Sequence, residues 1–371
     1  MVKENNNRLF VEVHALQSVP PSCINRDDMG SPKTALYGGA TRARVSSQSW
    51  KHAMRVMFTE EFPEEQLGVR TKKLEDIVKN RLEEGDNSES QLYLKIIKKV
   101  IPDNNVLMFI GKTAIDELVN KYSDIMDKYN SYLNDMTKKK AQEKAAEEIV
   151  KVIKSNGSID ISLFGRMVAN TPQLNVDACA QVAHAISTHA VENQFDYFTA
   201  LDDVMDSDNA GAAHLDTAEF NSSTLYRYTT VAIHDFNSKI KSIDSIDLGY
   251  IVKKYVEAFI KSMPTGKQNS YANRTLPSTV LVTFRTDQPI NLVGAFEKPV
   301  VSDRGYMEES VERLANQYKN YSSMFGSPEK SLLLSQSSNE KFDQVTDVEN
   351  FDKLLDAVEN EIQIFAGERV M

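Results

Sequence analysis

The chain has 371 residues, 41% of them hydrophobic, and a formal net charge of −10. A mean hydropathy of −0.41 with no long apolar run argues against a membrane span, and the polar start MVKENNNRLF has neither the apolar core nor the cleavage site of a secretory signal. The length suggests two or three domains, and Cys23 and Cys179, alone and far apart, point to a reducing cytoplasm.

Leu9 to Leu16 alternates, with Leu9, Val11, Val13 and Ala15 on one face and Phe10, Glu12 and His14 on the other, which predicts a half-buried strand. Pro20-Pro21 is expected to end it, and Ser22 to Ala40 reads as a loop closing on Gly38-Gly39. Thr41 to Val45 is a second strand, with Arg42 and Arg44 expected on one face. A helix follows, capped by Ser46 or Ser47, with Trp50, Ala53, Met54, Met57 and Phe58 as its apolar stripe. Residues 60–159 are charged and helical in pattern, which predicts an inserted helical subdomain. Asp177 to Ala190 is expected to be a further helix, and Gln194 to Leu201 a strand. Asp202 to Asp216, rich in Gly, Ala and Asp, reads as a projecting loop or hairpin, with Thr224 to Ile233 as the return strand. Leu248–Met263 and Met307–Met324 predict helices, Thr279–Phe284 a strand, and Asp347 to Phe365 a terminal acidic helix. The order is that of an α+β protein, best fitted by a ferredoxin-like sheet carrying insertions.

Charge is unevenly distributed. From Ile24 to Phe58 stand Arg26, Lys33, Arg42, Arg44, Lys51 and Arg55 against only Asp27 and Asp28, whereas the chain from Val301 onward is strongly acidic. Ser46, Ser47 and Gln48 fall where a helix leaves its first N–H groups unpaired, a ready anion site, and Lys51 and Arg55 continue the charge one turn on. The plain alternative is a solvated basic face. The absence of any acid from Met29 to Phe58 favours a polyanion. Enzymatic patterns are weak. Gly266-Lys267 lacks the rest of a phosphate-binding loop, and His184 and His189 stand five apart rather than four. Asp27-Asp28 is the one suspicious acidic pair, for which pairing with Arg26 or capping the loop is the simpler role. Met167, two residues after Gly165, is either core or a wedge against a nucleobase.

Several runs carry a resemblance. Ser22-Cys23-Ile24-Asn25-Arg26-Asp27-Asp28-Met29, Gly38-Gly39 and Arg44-Val45-Ser46-Ser47-Gln48-Ser49-Trp50-Lys51-His52-Ala53-Met54-Arg55 come first. Phe164-Gly165-Arg166-Met167, the run Gln181 to His189, Asp196-Tyr197-Phe198-Thr199-Ala200 and Gly266-Lys267-Gln268-Asn269 follow in the same order. Together they resemble the CasC-type backbone subunits of type I-E CRISPR Cascade complexes, of the RAMP-like superfamily. The resemblance implies an RNA-recognition-like palm (1–59 and 160–371), a helical fingers insertion (60–159) and a thumb near 200–220.

It further implies a cytoplasmic, non-catalytic subunit that polymerises along CRISPR RNA and kinks it at intervals. Guide bases are presented to target DNA beside other Cascade subunits, without cofactor, metal or membrane. Backbone contacts would fall on Lys33, Ser46, Ser47, Gln48, Lys51 and Arg55, with Arg26, Arg42, Arg44, Arg166 and Lys267 in support. Met167 would press on a guide base and Leu215 would be the thumb wedge. Relatives often carry bases at the positions of Ala40 and His52, which this chain lacks. The alternative is an RNA-cleaving relative using Asp27 or Asp28 with a metal.

Overall fold

The computed structural model describes residues 8–82, 87–101, 106–200, 214–241, 247–336 and 341–367, without the side chains of 199–200 and 214–216. Along the chain run β1 (Phe10–Ser22), β2 (Thr34–Tyr37), β3 (Ala40–Val45) and α1 (Ser47–Glu61). Next come β4 (Gly68–Thr71), α2 (Leu74–Arg81), α3 (Ser88–Val100), β5 (Met108–Gly111), α4 (Lys112–Asn120), α5 (Tyr122–Asp135), α6 (Lys138–Ser155) and α7 (Ile159–Phe164). Then β6 (Ala180–Val182), β7 (Ala185–Ser187), β8 (Gln194–Ala200) and β9 (His214–Ala232) lead to α8 (Ile233–Ile240), α9 (Leu248–Lys261) and α10 (Gln268–Tyr271). The chain closes with β10 (Thr279–Arg285), α11 (Met307–Phe325), β11 (Lys330–Ser335), β12 (Thr346–Asp347) and α12 (Phe351–Gly367). These twelve described helices and a large mixed sheet make an α+β protein, and no described helix is long and apolar enough to cross a membrane.

The chain divides into two compact units. The first comprises 1–57, 182–230 and 248–371 and contains most of the sheet, whose main path runs β12-β11-β10-β1-β9-β7-β3-β2. β1 and β10 pair antiparallel from Phe10↔Arg285 to Leu16↔Thr279. One core gathers Leu16, Tyr226, Leu281 and Leu333 against Val311 and Leu314 of α11. α12 buries Leu354, Leu355, Val358 and Ile362, and its acids Asp356 and Glu359 hold Lys253 of α9 at 2.8 and 2.7 Å. Part of the acidity of the C-terminal region is thus taken up by intramolecular ion pairs. The second unit comprises 58–181 and 231–247, and its core runs from Leu74 through Tyr93, Ile97, Ile115 and Tyr129 to Ile149 and Ile153.

Several expectations need correction, among them the loop from Ser22 to Ala40, which contains β2 paired antiparallel with β3. β1 is buried on both faces, not one: Glu12 and His14 are each 1% exposed. Glu12 is satisfied by the Tyr228 hydroxyl at 2.6 Å, Thr283 Oγ1 at 3.0 Å and the Ile290 N–H at 2.6 Å, so a polar position is no mark of solvent here. β1 also continues through Pro20-Pro21 to Ser22, past Leu16, where its pairing with β10 ends. The segment Asp177–Ala190 is not a helix. It forms β6 and β7, β7 pairing with β3 through Arg44↔Ile186 and Val45↔Ala185. Its alanines favour a helix locally, but strands of three residues are too short to reveal a period of two, and pairing decides.

Candidate functional site

The loop after β1 folds onto the start of α1, and Asn25 ties the two together. Its Oδ1 accepts the Ser46 N–H at 2.8 Å, its Nδ2 donates to Ser49 Oγ at 3.0 Å, and its carbonyl accepts the Lys33 N–H at 2.9 Å. Lys33 O in turn accepts the Arg44 N–H from β3 at 2.9 Å. Lys33 and Arg44 therefore sit side by side, lining with Asn25 and Asn221 a narrow cleft at the edge of the sheet. Asp27 closes the loop: its Oδ1 accepts the N–H groups of Met29 and Ser31 at 2.9 and 3.0 Å. That is the loop-capping role expected of it. Asp28 is exposed.

Ser46, buried, caps α1, its carbonyl accepting the Ser49 and Trp50 N–H groups at 3.0 and 3.2 Å. The Ser47 N–H is taken by Nδ1 of His184 at 3.1 Å. An accepting Nδ1 leaves the proton of the neutral imidazole on Nε2, facing outward as a donor. Partial burial, then the charges of Arg44 and Lys33, hold the His184 pKa below its ordinary value. The Gln48 N–H has no partner among the described residues and its side chain is exposed. Arg44 uses Nε on Thr34 O at 3.3 Å, leaving both Nη groups without a described acceptor. Outward donors and two cations thus converge on a helix N-terminus, whose own partial positive charge has the same sign.

Lys267 joins the edge of this surface. Gly266 backs so closely onto the loop that a Cβ would lie 2.4 Å from Ile24 O, and Lys267 follows with φ +47°. The Cys23 thiol, pushed up by burial, feels the opposing charges of Lys267 and Arg26. Arg26 is exposed, and Arg26, Lys33, Arg44 and Lys267 form no ion pair among the described residues. On α1, Trp50, Met54 and Phe58 form the buried stripe, leaving Lys51 and Arg55 half-buried with other intramolecular partners, and His52 exposed.

Arg42 departs from the expectation. It is fully buried and donates from Nη1 to Ser187 O at 2.8 Å, from Nη2 to Phe296 O at 2.8 Å and Glu297 O at 3.2 Å, and from Nε to Tyr37 O at 3.3 Å. It ties the sheet to the following loops and offers nothing to a ligand, while Arg44 is the solvent-facing one of the pair. Arg166 and Met167 belong to the second unit and diverge: Arg166 is buried, Met167 is 84% exposed. Leu215 lies opposite Thr199 in the β8–β9 ladder, its side chain outside the described part, as is the tip at 201–213.

Sequence reasoning missed His184 and Asn25. His184 falls in the segment expected to be a helix, and Asn25 in the stretch expected to be a loop. It also missed the exposed aromatics of β8, Phe195 and Tyr197 on one face and Phe198 on the other. Their signal was available: three aromatics within four residues of a polar strand have no core to fill.

The model of the family described as CT1975-like protein matches residues 11–360. Among solved structures, a chain described as "CRISPR RNA-guided surveillance complex, pre-nicking" is 27% identical with a TM-score of 0.79, over 95% of this chain and 100% of that one. A second, described as "CRISPR RNA-guided surveillance complex", has the same fold at 24% identity and a TM-score of 0.62, over 95% and 99%. No curated protein matches.

Proposed function

We propose that this chain, which belongs to the CT1975-like protein family, is a non-catalytic backbone subunit of a Cascade-type CRISPR surveillance complex that grips guide RNA through the start of α1. The first unit is read as an RNA-recognition-like palm of ferredoxin-like descent, the helical unit as fingers and the β8–β9 hairpin as a thumb. The likeness to a surveillance-complex chain over nearly the whole length supports the setting. The observation that carries the reading is the cluster of outward donors at the α1 N-terminus, where Lys33, Arg44, the His184 Nε2–H and the Gln48 N–H converge without a counter-ion.

Such donors match successive phosphates and read no base edge, which suits a subunit whose guide varies. Lys51 and Arg55 extend the track along α1, Arg26 and Lys267 widen it, and Met167 presses on a base. The exposed Phe195, Tyr197 and Phe198 offer faces on which an unstacked base can lie. Several copies then share one guide, its free bases pair with target DNA, and further Cascade subunits complete the assembly in the cytoplasm. The type I-E assignment belongs to this proposal and rests on the motif runs given above.

The test is binding to unrelated RNA sequences of increasing length, read by native mass spectrometry. Copies per RNA are expected to rise with length and affinity to be indifferent to sequence. A fixed single copy, or strong preference for one sequence, contradicts the reading. The cleaving alternative is tested with magnesium and target RNA: cutting abolished by Asp27→Ala or Asp28→Ala would replace the non-catalytic assignment.

A further inference from the structure

The helical unit contains a second cationic site that the guide-binding reading does not use. A cavity of about 320 Å³ opens beside the end of α6 and the bridge between Arg166 and Val176. Its polar wall is Lys154, Asn156, Arg166, Asn175, Asp177 and Lys239. Pockets for small ligands run from about 300 to 1,000 Å³, so this one is of single-nucleotide size.

Arg166 is the centre of the argument. It is 8% exposed, and its guanidinium donates from Nε to Leu174 O at 2.7 Å and from Nη1 to Phe109 O at 3.2 Å. Of five N–H groups, three remain, both on Nη2 among them, with no acceptor among the described residues. Burial lowers its pKa only to about 10, so the group stays charged near neutral pH. Its open donors face the cavity rather than the packed interior, and a fixed guanidinium presenting free N–H groups to a cavity is suited to a phosphate or carboxylate. The acid on the wall, Asp177, is exposed and makes no ion pair with it. Met167, next in the chain, is turned out to solvent, so the pocket is separate from the surface assigned to the guide base.

The remaining wall has the chemistry of a nucleotide's other parts. Asn175 Oδ1 accepts the Val168 N–H at 2.6 Å, which fixes its amide and leaves Nδ2 as a free donor. Asn156 Nδ2 donates to Val152 O at 2.8 Å, which leaves its Oδ1 as a free acceptor. One donor and one acceptor suit the edge of a nucleobase, and Ile153, Ile161 and Val176 give it apolar walls. Lys154 adds a second exposed cation without a described partner. A helix C-terminus accounts for Lys154 by itself but not for Arg166.

We propose that this cavity binds one phosphorylated nucleotide, phosphate on Arg166 and Lys154, base against Asn156 and Asn175. The nucleotide is either free or an unstacked unit of a bound strand. The inference stands whether or not the chain grips guide RNA.

The experiment is isothermal titration of the full-length chain with the four ribonucleoside monophosphates and with inorganic phosphate. Two variants avoid unfolding: Asn175→Asp keeps the acceptor for Val168 and removes the free donor, and Lys154→Glu changes an exposed side chain. Saturable binding of at least one nucleotide is expected, with phosphate weaker by about tenfold or more, the worth of about one good hydrogen bond. Each variant should weaken it by about tenfold with an unchanged unfolding midpoint. Competition between the nucleotide and a short RNA, lost in both variants, would assign the site to a strand; independent binding of both would assign it to a free nucleotide. No saturable binding, phosphate binding as tightly as nucleotide, or affinity untouched by both variants overturns the proposal.

Discussion

Removing the two cations at the edge of the sheet gives the most quantitative prediction. Lys33 and Arg44 are linked backbone to backbone, carry no described ion pair and face the same cleft, so each is assigned about one phosphate. On single strands each contacted phosphate contributes about 0.7 to the slope of log affinity against log salt. Lys33→Gln plus Arg44→Gln should therefore reduce that slope by about 1.4. In 0.1 M salt the loss is about 5-fold per contact, about 25-fold or about 2 kcal/mol together, shrinking to about 3-fold near 0.5 M. Fluorescence anisotropy of a labelled RNA across a salt titration measures both. Arg42→Gln is the internal control. It abandons four carbonyl acceptors and should cost on the order of 3 kcal/mol of stability with an unchanged salt slope, because Arg42 never meets solvent. A double variant with the wild-type slope, or an Arg42 variant that alters it, refutes the assignment of Arg44 as the outward arginine.

His14 is fully enclosed, and burial drives its pKa from 6.5 down to about 3. The unfolded chain therefore takes up the proton first, so stability is full above about pH 6.5 and falls as pH drops toward 3. Between pH 7.5 and 5 the loss from this residue is about 2 kcal/mol, and urea unfolding should show it in the wild type and not in His14→Asn. Gly266→Ala, with its Cβ driven toward Ile24 O, should cost about 1–3 kcal/mol by thermal unfolding and weaken RNA binding by displacing Lys267. Phe195→Ala with Tyr197→Ala should leave stability within about 0.5 kcal/mol, since both rings are exposed, yet lower RNA affinity by about 1–3 kcal/mol per stacked base. Lowering the pH from 8 to 6 should strengthen RNA binding, because a bound phosphate offsets the burial, and after it the repulsion from Arg44 and Lys33, that disfavour protonated His184, and takes up the Ser47 N–H that protonation releases. His184→Gln should flatten that response.

What was legible in the sequence was whatever its local pattern determined. The strand–helix passage from Ala40 to Glu61 is written in the Trp50, Met54, Phe58 stripe and the serine cap, and both appear as expected. The helical character of the insertion was likewise visible in its charged helical pattern and β8 in its alternation, whereas β9 begins at His214, ten residues before the expected return strand, and pairs with β8 through residues ahead of that strand. What failed was long-range. Which arginine of the Arg42/Arg44 pair turns inward depends on carbonyls at Ser187 and Phe296, more than a hundred residues away. The strand identity of Ala180–Val182 and Ala185–Ser187 depends on pairing partners that no local window contains. His184 became a site residue only because that pairing carries it to the Ser47 N–H.

The central claim, that this chain holds guide RNA, is tested most directly by purifying it from cells that also express a CRISPR array and its partner subunits, then sequencing what comes with it. The account predicts short RNAs of uniform length with a shared repeat-derived handle and variable middles, reduced in the Lys33→Gln, Arg44→Gln variant. Protein recovered free of RNA under those conditions, or RNA without the repeat, would contradict it.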